Sequence, residues 1–247
     1  MRFFDDISYV VTFEQTDPFY VLDLSDPTEP KVMGELEIPG FSQFMHPIKE
    51  DNSMLITVGQ DADENGRILG FQISIFNSTI PTDPKLIDRL VINEEDDDNK
   101  GGWSGSSASW DERAFRYVQV GDLGRLIIPV DVYAPWDNSG NNVGDDFQGF
   151  MVFGVDLTKA ENEIITREVE IDHSQNENND ATMFMGSGIV AECYCGHSTW
   201  LPERSMVFDG NLMTLKRQEV ISTNLVTHET QWNLTITDDD DNNCCYP

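Results

Sequence analysis

Asp61-Ala62-Asp63-Glu64-Asn65-Gly66 sets oxygen-bearing side chains at alternate positions ahead of a glycine, the pattern by which short loops hold calcium. Ile68 falls where such a loop carries its apolar residue, whereas position twelve is Gln72 and not a bidentate glutamate. Asp61, Asp63 and Asn65 are therefore the candidate metal ligands, and calcium is the one cofactor the sequence points to. The plainer reading of the same residues is a type I′ hairpin turn at Asn65-Gly66 with acidic neighbours in water.

Cysteine is confined to the last quarter, as Cys193-Tyr194-Cys195 and Cys244-Cys245. Adjacent cysteines bond each other only with strain, so two disulfides joining one pair to the other would tie the C-terminal tail back to the preceding strands. A zinc site would lack the usual gap of two to four residues between ligands, and four free thiols in a reducing compartment is the third reading. Asn77-Ser78-Thr79 and Asn233-Leu234-Thr235 are glycosylation sequons that fit a secretory route.

The motifs of common enzymes are missing. Gly102-Trp103-Ser104-Gly105-Ser106 lacks the closing glycine of a nucleophile elbow, and neither an H-E-x-x-H helix nor a P-loop occurs. The four histidines, 46, 173, 197 and 228, are scattered. His46, followed by Pro47, is the polar residue best placed to line a channel or to hold a neighbouring structural unit, and Asp111 with Arg113 reads as an ion pair stitching two such units. These residues point to binding and packing; a calcium-dependent hydrolase working at a central channel, through His46 and Asp61, is the alternative.

The elements that hold these residues read as β. Hydrophobic residues make up 39% of 247, with 10% aromatic, and no long helical period runs through them. Forty-five acidic against 15 basic residues give a formal charge of −30, a field that repels phosphate backbones and argues against nucleic acid as a partner. No run approaches the roughly 18 apolar residues of a membrane span, and the N-terminus lacks the apolar region of a signal peptide. Tyr9-Val10-Val11-Thr12-Phe13 opens a strand almost at once, which leads us to expect further sequence upstream.

A repeat organises the chain. Phe19-Tyr20-Val21-Leu22-Asp23 with Pro27, Pro30 and Lys31 recurs 54 positions on as Ile73-Ser74-Ile75-Phe76-Asn77 with Pro81, Pro84 and Lys85. Val155-Asp156-Leu157-Thr158 and Glu168-Val169-Glu170-Ile171 form a third copy, and a weaker fourth runs from Ser205 to Leu225. In this unit a strand ends at an Asp/Ser pair whose side chains can bond neighbouring backbone N–H groups, and two prolines, lost from the third copy, then end the ladder. With intervening strands at Met54–Val58 and Arg125–Val130, the unit has about four strands, a propeller blade. The expectation is an all-β, partial β-propeller over residues 1–235, with about three to four four-stranded blades near 7–38, 54–92, 113–171 and 183–225. Loop insertions fall near 93–109 and 134–148, and an acidic, cysteine-containing tail over 236–247.

Tyr9–Phe13, Thr16-Asp17-Pro18, Asp23-Leu24-Ser25-Asp26-Pro27, Pro39-Gly40-Phe41-Ser42, His46-Pro47, the stretch Asp61–Arg67 and Arg113-Ala114-Phe115 carry a resemblance. The chain resembles the secreted bacterial and archaeal proteins with a C-terminal β-propeller distantly related to WD repeats. It departs from them at Glu112, where the family looks to have histidine, and in its cysteine tail. The resemblance implies a secreted or cell-surface, non-catalytic scaffold, a piece of a longer protein, that binds a protein or glycan partner. Too few blades for a closed ring would otherwise be completed by self-association.

Overall fold

Alternation of apolar and polar residues folds as strands from end to end. The computed structural model describes residues 1–12, 17–38, 40–63, 66–92, 102–120, 123–135, 144, 146–174 and 202–236. The first sheet runs β1 (Arg2–Phe4), β2 (Ile7–Val11), β3 (Asp17–Asp23) and β4 (Lys31–Ile38). The second runs β5 (Phe41–Pro47), β6 (Met54–Ala62), β7 (Ile68–Asn77) and β8 (Lys85–Ile92). After the short β9 (Trp103–Gly105) comes a third, β10 (Arg116–Val120), β11 (Leu123–Tyr133), β12 (Phe147–Asp156) and β13 (Ile165–Asp172). The fourth is β14 (Arg204–Phe208), β15 (Asn211–Lys216), β16 (Glu219–Asn224) and β17 (Thr230–Thr235). Consecutive strands pair antiparallel within each sheet, so the all-β propeller expected from the repeat is four up-and-down blades.

One local device recurs in all four. At the end of each third strand an Asx side chain accepts a hydrogen bond from the backbone N–H two residues on: Asp23 from Ser25, Asn77 from Thr79, Asp156 from Thr158 and Asn224 from Val226, at 2.8–3.0 Å. This turns the chain without any need for proline, which is why the third and fourth copies keep the turn after losing the prolines. Each fourth strand then carries a bulge against the third, beside Val21, Ile75, Val152 and Ser222, which sharpens the twist of the outer edge.

The blades extend further than the repeat indicated. The first begins at Arg2 and the second at Phe41, where the sequence pattern placed them at 7 and 54. Residues 103–109, expected to be part of a rim insertion, are instead built in: β9 pairs with β11, and Ser104, Ser106, Ala108 and Ser109 are buried. Ser104 Oγ donates to Ile92 O and accepts from Phe71 N, closing the seam between blades two and three. The segment 134–148 lies mostly, and the tail from 237 wholly, outside the described residues.

Packing between blades supplies the core. Tyr9, Phe19, Val21 and Ile38 of blade one meet Met45, Leu55 and Phe76 of blade two; Phe19 and Phe76 stack with centroids 4.6 Å apart. Ile56, Val58, Phe71, Ile73 and Ile75 meet Leu126, Ile128, Met151, Phe153 and Val155 across the next joint. Ile127, Phe150, Val152 and Ile171 meet Leu212, Ile221 and Leu225 across the last. The approach is close: a Cβ on Gly34 would come within 2.3 Å of Pro81 O.

Strand alternation makes one face of each blade serve the preceding blade and the other face the following one. Two faces are left without a neighbour among the described residues. On blade four it carries Met206, Phe208 (67% exposed), Trp232 (46%) and Leu234, and on blade one Phe3 (65%) and Val32. The ring is not closed. Truncating Phe76 to alanine removes a stack and leaves a cavity in the first joint, so it should cost about 3–5 kcal/mol and lower the melting temperature by on the order of 10 °C. A thermal melt checks this; a loss under about 1 kcal/mol would mean the joint is not close-packed.

Candidate functional site

In each blade the first strand is the shortest of the four, and these strands share one location. A cleft of about 610 Å³ is lined by Arg2 of β1, Phe44 and Met45 of β5, Arg204 of β14, and Trp110 and Arg113 ahead of β10. It continues into a second, of about 570 Å³, where His46, Phe115, Arg116 and Tyr117 contribute. All four blades therefore meet on one concave, solvent-open surface, the channel side of the arc.

The side chains there are pinned from behind. Arg2 Nε donates to Met45 O at 2.9 Å, and its guanidinium lies 4.5 Å above the Phe44 ring. Arg116 Nε donates to Ser205 O at 2.8 Å, joining blade three to blade four. Arg204 Nη1 donates to Asp111 Oδ2 at 2.7 Å. The half-buried His46 packs on Phe115 and Tyr117, and burial together with the Arg2 charge holds it below the ordinary histidine value. It is neutral at pH 7 and lines the channel, as its position before Pro47 suggested.

Asp111 and Arg113 do not pair through their side chains as expected. The Asp111 carboxylate takes Arg204 instead, together with the backbone N–H of Arg113 at 3.0 Å, so its stitch reaches across 93 residues of sequence to the next blade.

The candidate calcium residues lie elsewhere. Asp61 is buried at the end of β6, where its carboxylate accepts from Arg89 Nη1 at 2.8 Å; burial outweighs that arginine and raises its pKa. Asp63 turns instead toward Arg67, accepting from its backbone N–H at 2.9 Å and from Nε at 3.3 Å. Gly66 N–H donates to Asp63 O and Asp63 N–H to Arg67 O, with Gly66 in the left-handed region at φ 77. Asn65 lies outside the described residues, as do Cys193, Cys195, Cys244 and Cys245. Of the two sequons, Asn77 sits in its Asx turn and Asn233 is exposed on β17.

Sequence reasoning missed a buried polar seam between blades three and four. Lys216, nearly inaccessible, pairs with Asp131 at 2.7 Å and with Glu203. Beside it His173 Nε2 meets Thr214 Oγ1 at 3.0 Å, and Nδ1 lies 3.3 Å from Glu219. Burial first, and the Lys216 charge second, depress the His173 pKa to about 4 in spite of the opposing carboxylates of Asp172 and Glu203. Alternation along β15 put Lys216 on the same face as Leu212 and Thr214, and that was the available signal.

Four antiparallel four-stranded blades arranged about a common cleft define a β-propeller architecture. The sequence model of the family described as a beta propeller domain matches residues 1–228, and the chain belongs to that family. It is 43% identical over 93 residues to an uncharacterised protein of Methanocaldococcus jannaschii and 44% identical over 94 residues to one of Archaeoglobus fulgidus. Each match takes in 38% of this chain and 14% of the relative, so the shared stretch is a small part of those longer proteins. Among solved structures the chain is similar to the AfRom2 CNH domain, with a TM-score of 0.38 and 11% identity over 93% of this chain and 50% of that one.

The His173 environment fixes a pH dependence. Its folded pKa lies below the ordinary 6.5, so as pH falls from about 6.5 to 4 the unfolded chain takes a proton that the folded chain refuses. Stability present above pH 6.5 is therefore lost through that window, by about 3 kcal/mol in full. Denaturant titrations at pH 7 and pH 4.5 should show a larger fall for the native chain than for His173→Gln; equal falls would contradict the assignment.

Proposed function

We propose that the chain is a non-catalytic binding scaffold of the cell surface or extracellular space, which presents its channel-side cleft to a protein or glycan partner. The convergence of the first strands of all four blades on one concave surface carries this reading. Propellers place ligands at such a surface, and the cleft's aromatic and guanidinium lining suits recognition by stacking and hydrogen bonding. The resemblance to secreted propeller proteins supports the location.

The hydrolase alternative needs His46 and Asp61 at one substrate. His46 pairs with Ile56 on β6, and Asp61 lies five residues further along that strand. At the rise of an extended strand that is about 17 Å, too far for one reacting bond. Calcium at Asp61 would have to displace the buried bond from Arg89.

Two results test the proposal. Protease treatment of intact source cells should release or degrade the protein, whereas protection until lysis would contradict a surface location. A panel of ester, glycoside and peptide substrates, assayed with millimolar calcium and again with chelator, should show no turnover; turnover abolished by His46→Ala would overturn the non-catalytic reading.

A further inference from the structure

The cleft has a chemistry of its own, which deepens the scaffold reading by naming its ligand. The chain has nine arginines among 45 acidic residues, and four of the nine, Arg2, Arg113, Arg116 and Arg204, line this one surface. The carboxylates beside them are Asp111 and Glu112, and Asp111 is already taken by Arg204. A −30 chain that gathers guanidinium groups here concentrates positive charge where its overall composition predicts the reverse.

The geometry of the four is also specific. A guanidinium offers five N–H donors in a rigid fork. Arg2 and Arg116 are each anchored through Nε, and among the described residues their terminal nitrogens have no partner. The Arg113 side chain has none either, and it is exposed. The anchoring bonds use the Nε side of each planar group and fix its direction, leaving the Nη1/Nη2 edge to bind an oxyanion in a pair. Phe44, Phe115 and Tyr117 supply an apolar floor, and neutral His46 adds a donor and an acceptor beside it.

We propose that the channel-side cleft is a binding site for a small oxyanion, a carboxylate or phosphate group, held between the terminal nitrogens of Arg2, Arg113 and Arg116. Size and charge together restrict what the cleft holds to one small anionic group, free or borne by the protein or glycan partner. The part of the cleft that Arg2, Arg113 and Arg116 all line, about 570 Å³, matches a group of modest size, and a polyanion would be repelled by the −30 surface around it.

Isothermal calorimetry of the full chain with citrate, and separately with inorganic phosphate, tests the site at constant ionic strength with sodium chloride as control. At least one of the two should bind saturably, the responding anion separating carboxylate from phosphate, and Trp110, which lines the adjoining first cleft beside Arg2 and Arg113 at 71% exposure, should report it by fluorescence. Arg113→Gln removes a side chain with no structural bond, so it should leave the melting temperature unchanged and weaken binding by about tenfold or more, in line with the strength of a charge-assisted pair. Arg2→Gln is the second variant. Absence of saturable binding to either anion, or binding that neither variant weakens, would overturn the site. Surface protease sensitivity and the substrate panel do not depend on that result, so its failure is separable from failure of the scaffold reading.

Discussion

Apolar packing from blade to blade is the constraint from which the rest follows. A four-stranded sheet with apolar side chains on both faces cannot be stable alone, because each face must leave water. Here that demand produces three joints, each with its own cluster, from Tyr9–Phe19–Phe76 through Ile73–Met151–Phe153 to Phe150–Ile171–Leu212. The joints in turn set the rotation from one sheet to the next, and it is this rotation that brings the four first strands together. The cleft is therefore a product of the packing, and its residues need only be polar enough to stay wet.

Charge is distributed in keeping with that architecture. Most acidic residues among the described ones are exposed or half-buried, where water screens them. Where ions are buried they are paired, as Lys216 is with Asp131 and Glu203 and Asp61 with Arg89. Such pairs add little net stability over apolar packing, but leaving one member alone is costly. They therefore favour one alignment of neighbouring strands over a slipped one. The third joint, with the fewest large aromatics, is also the one that relies on this seam and on an uncharged His173.

Much of the fold was legible because its repeating device is local. The Asx residue at the end of each third strand needs only its own next two residues, so Asp23, Asn77 and Asp156 stood out in sequence; Asn224 was fainter because Val226 stands two residues on, where the other copies have Ser25, Thr79 and Thr158. The first strands were illegible for the opposite reason. Arg2–Phe4 and Arg204–Phe208 are short and carry arginines toward the channel, so they lack the apolar alternation by which strands are recognised. His46 was placed correctly from its position before a proline. The Arg204–Asp111 pair and the Lys216 seam join residues tens of positions apart, which local spacing cannot reveal. At the acidic stretch, Asp61 lies at the end of β6 beside a bulge and meets Arg89, whereas Asp63 lies past the strand and meets Arg67, partners that the spacing of the carboxylates could not reveal.

Native-state hydrogen exchange, resolved by peptide fragments, tests most directly that stacking between blades governs this structure. The inner blades are covered on both faces and the end blades on one. The account therefore predicts that amides of β6, β7, β11 and β12 exchange only through global opening, while β1, β2, β16 and β17 exchange through smaller, local openings. Equal protection across all four sheets, or slower exchange in β17 than in β11, would contradict it.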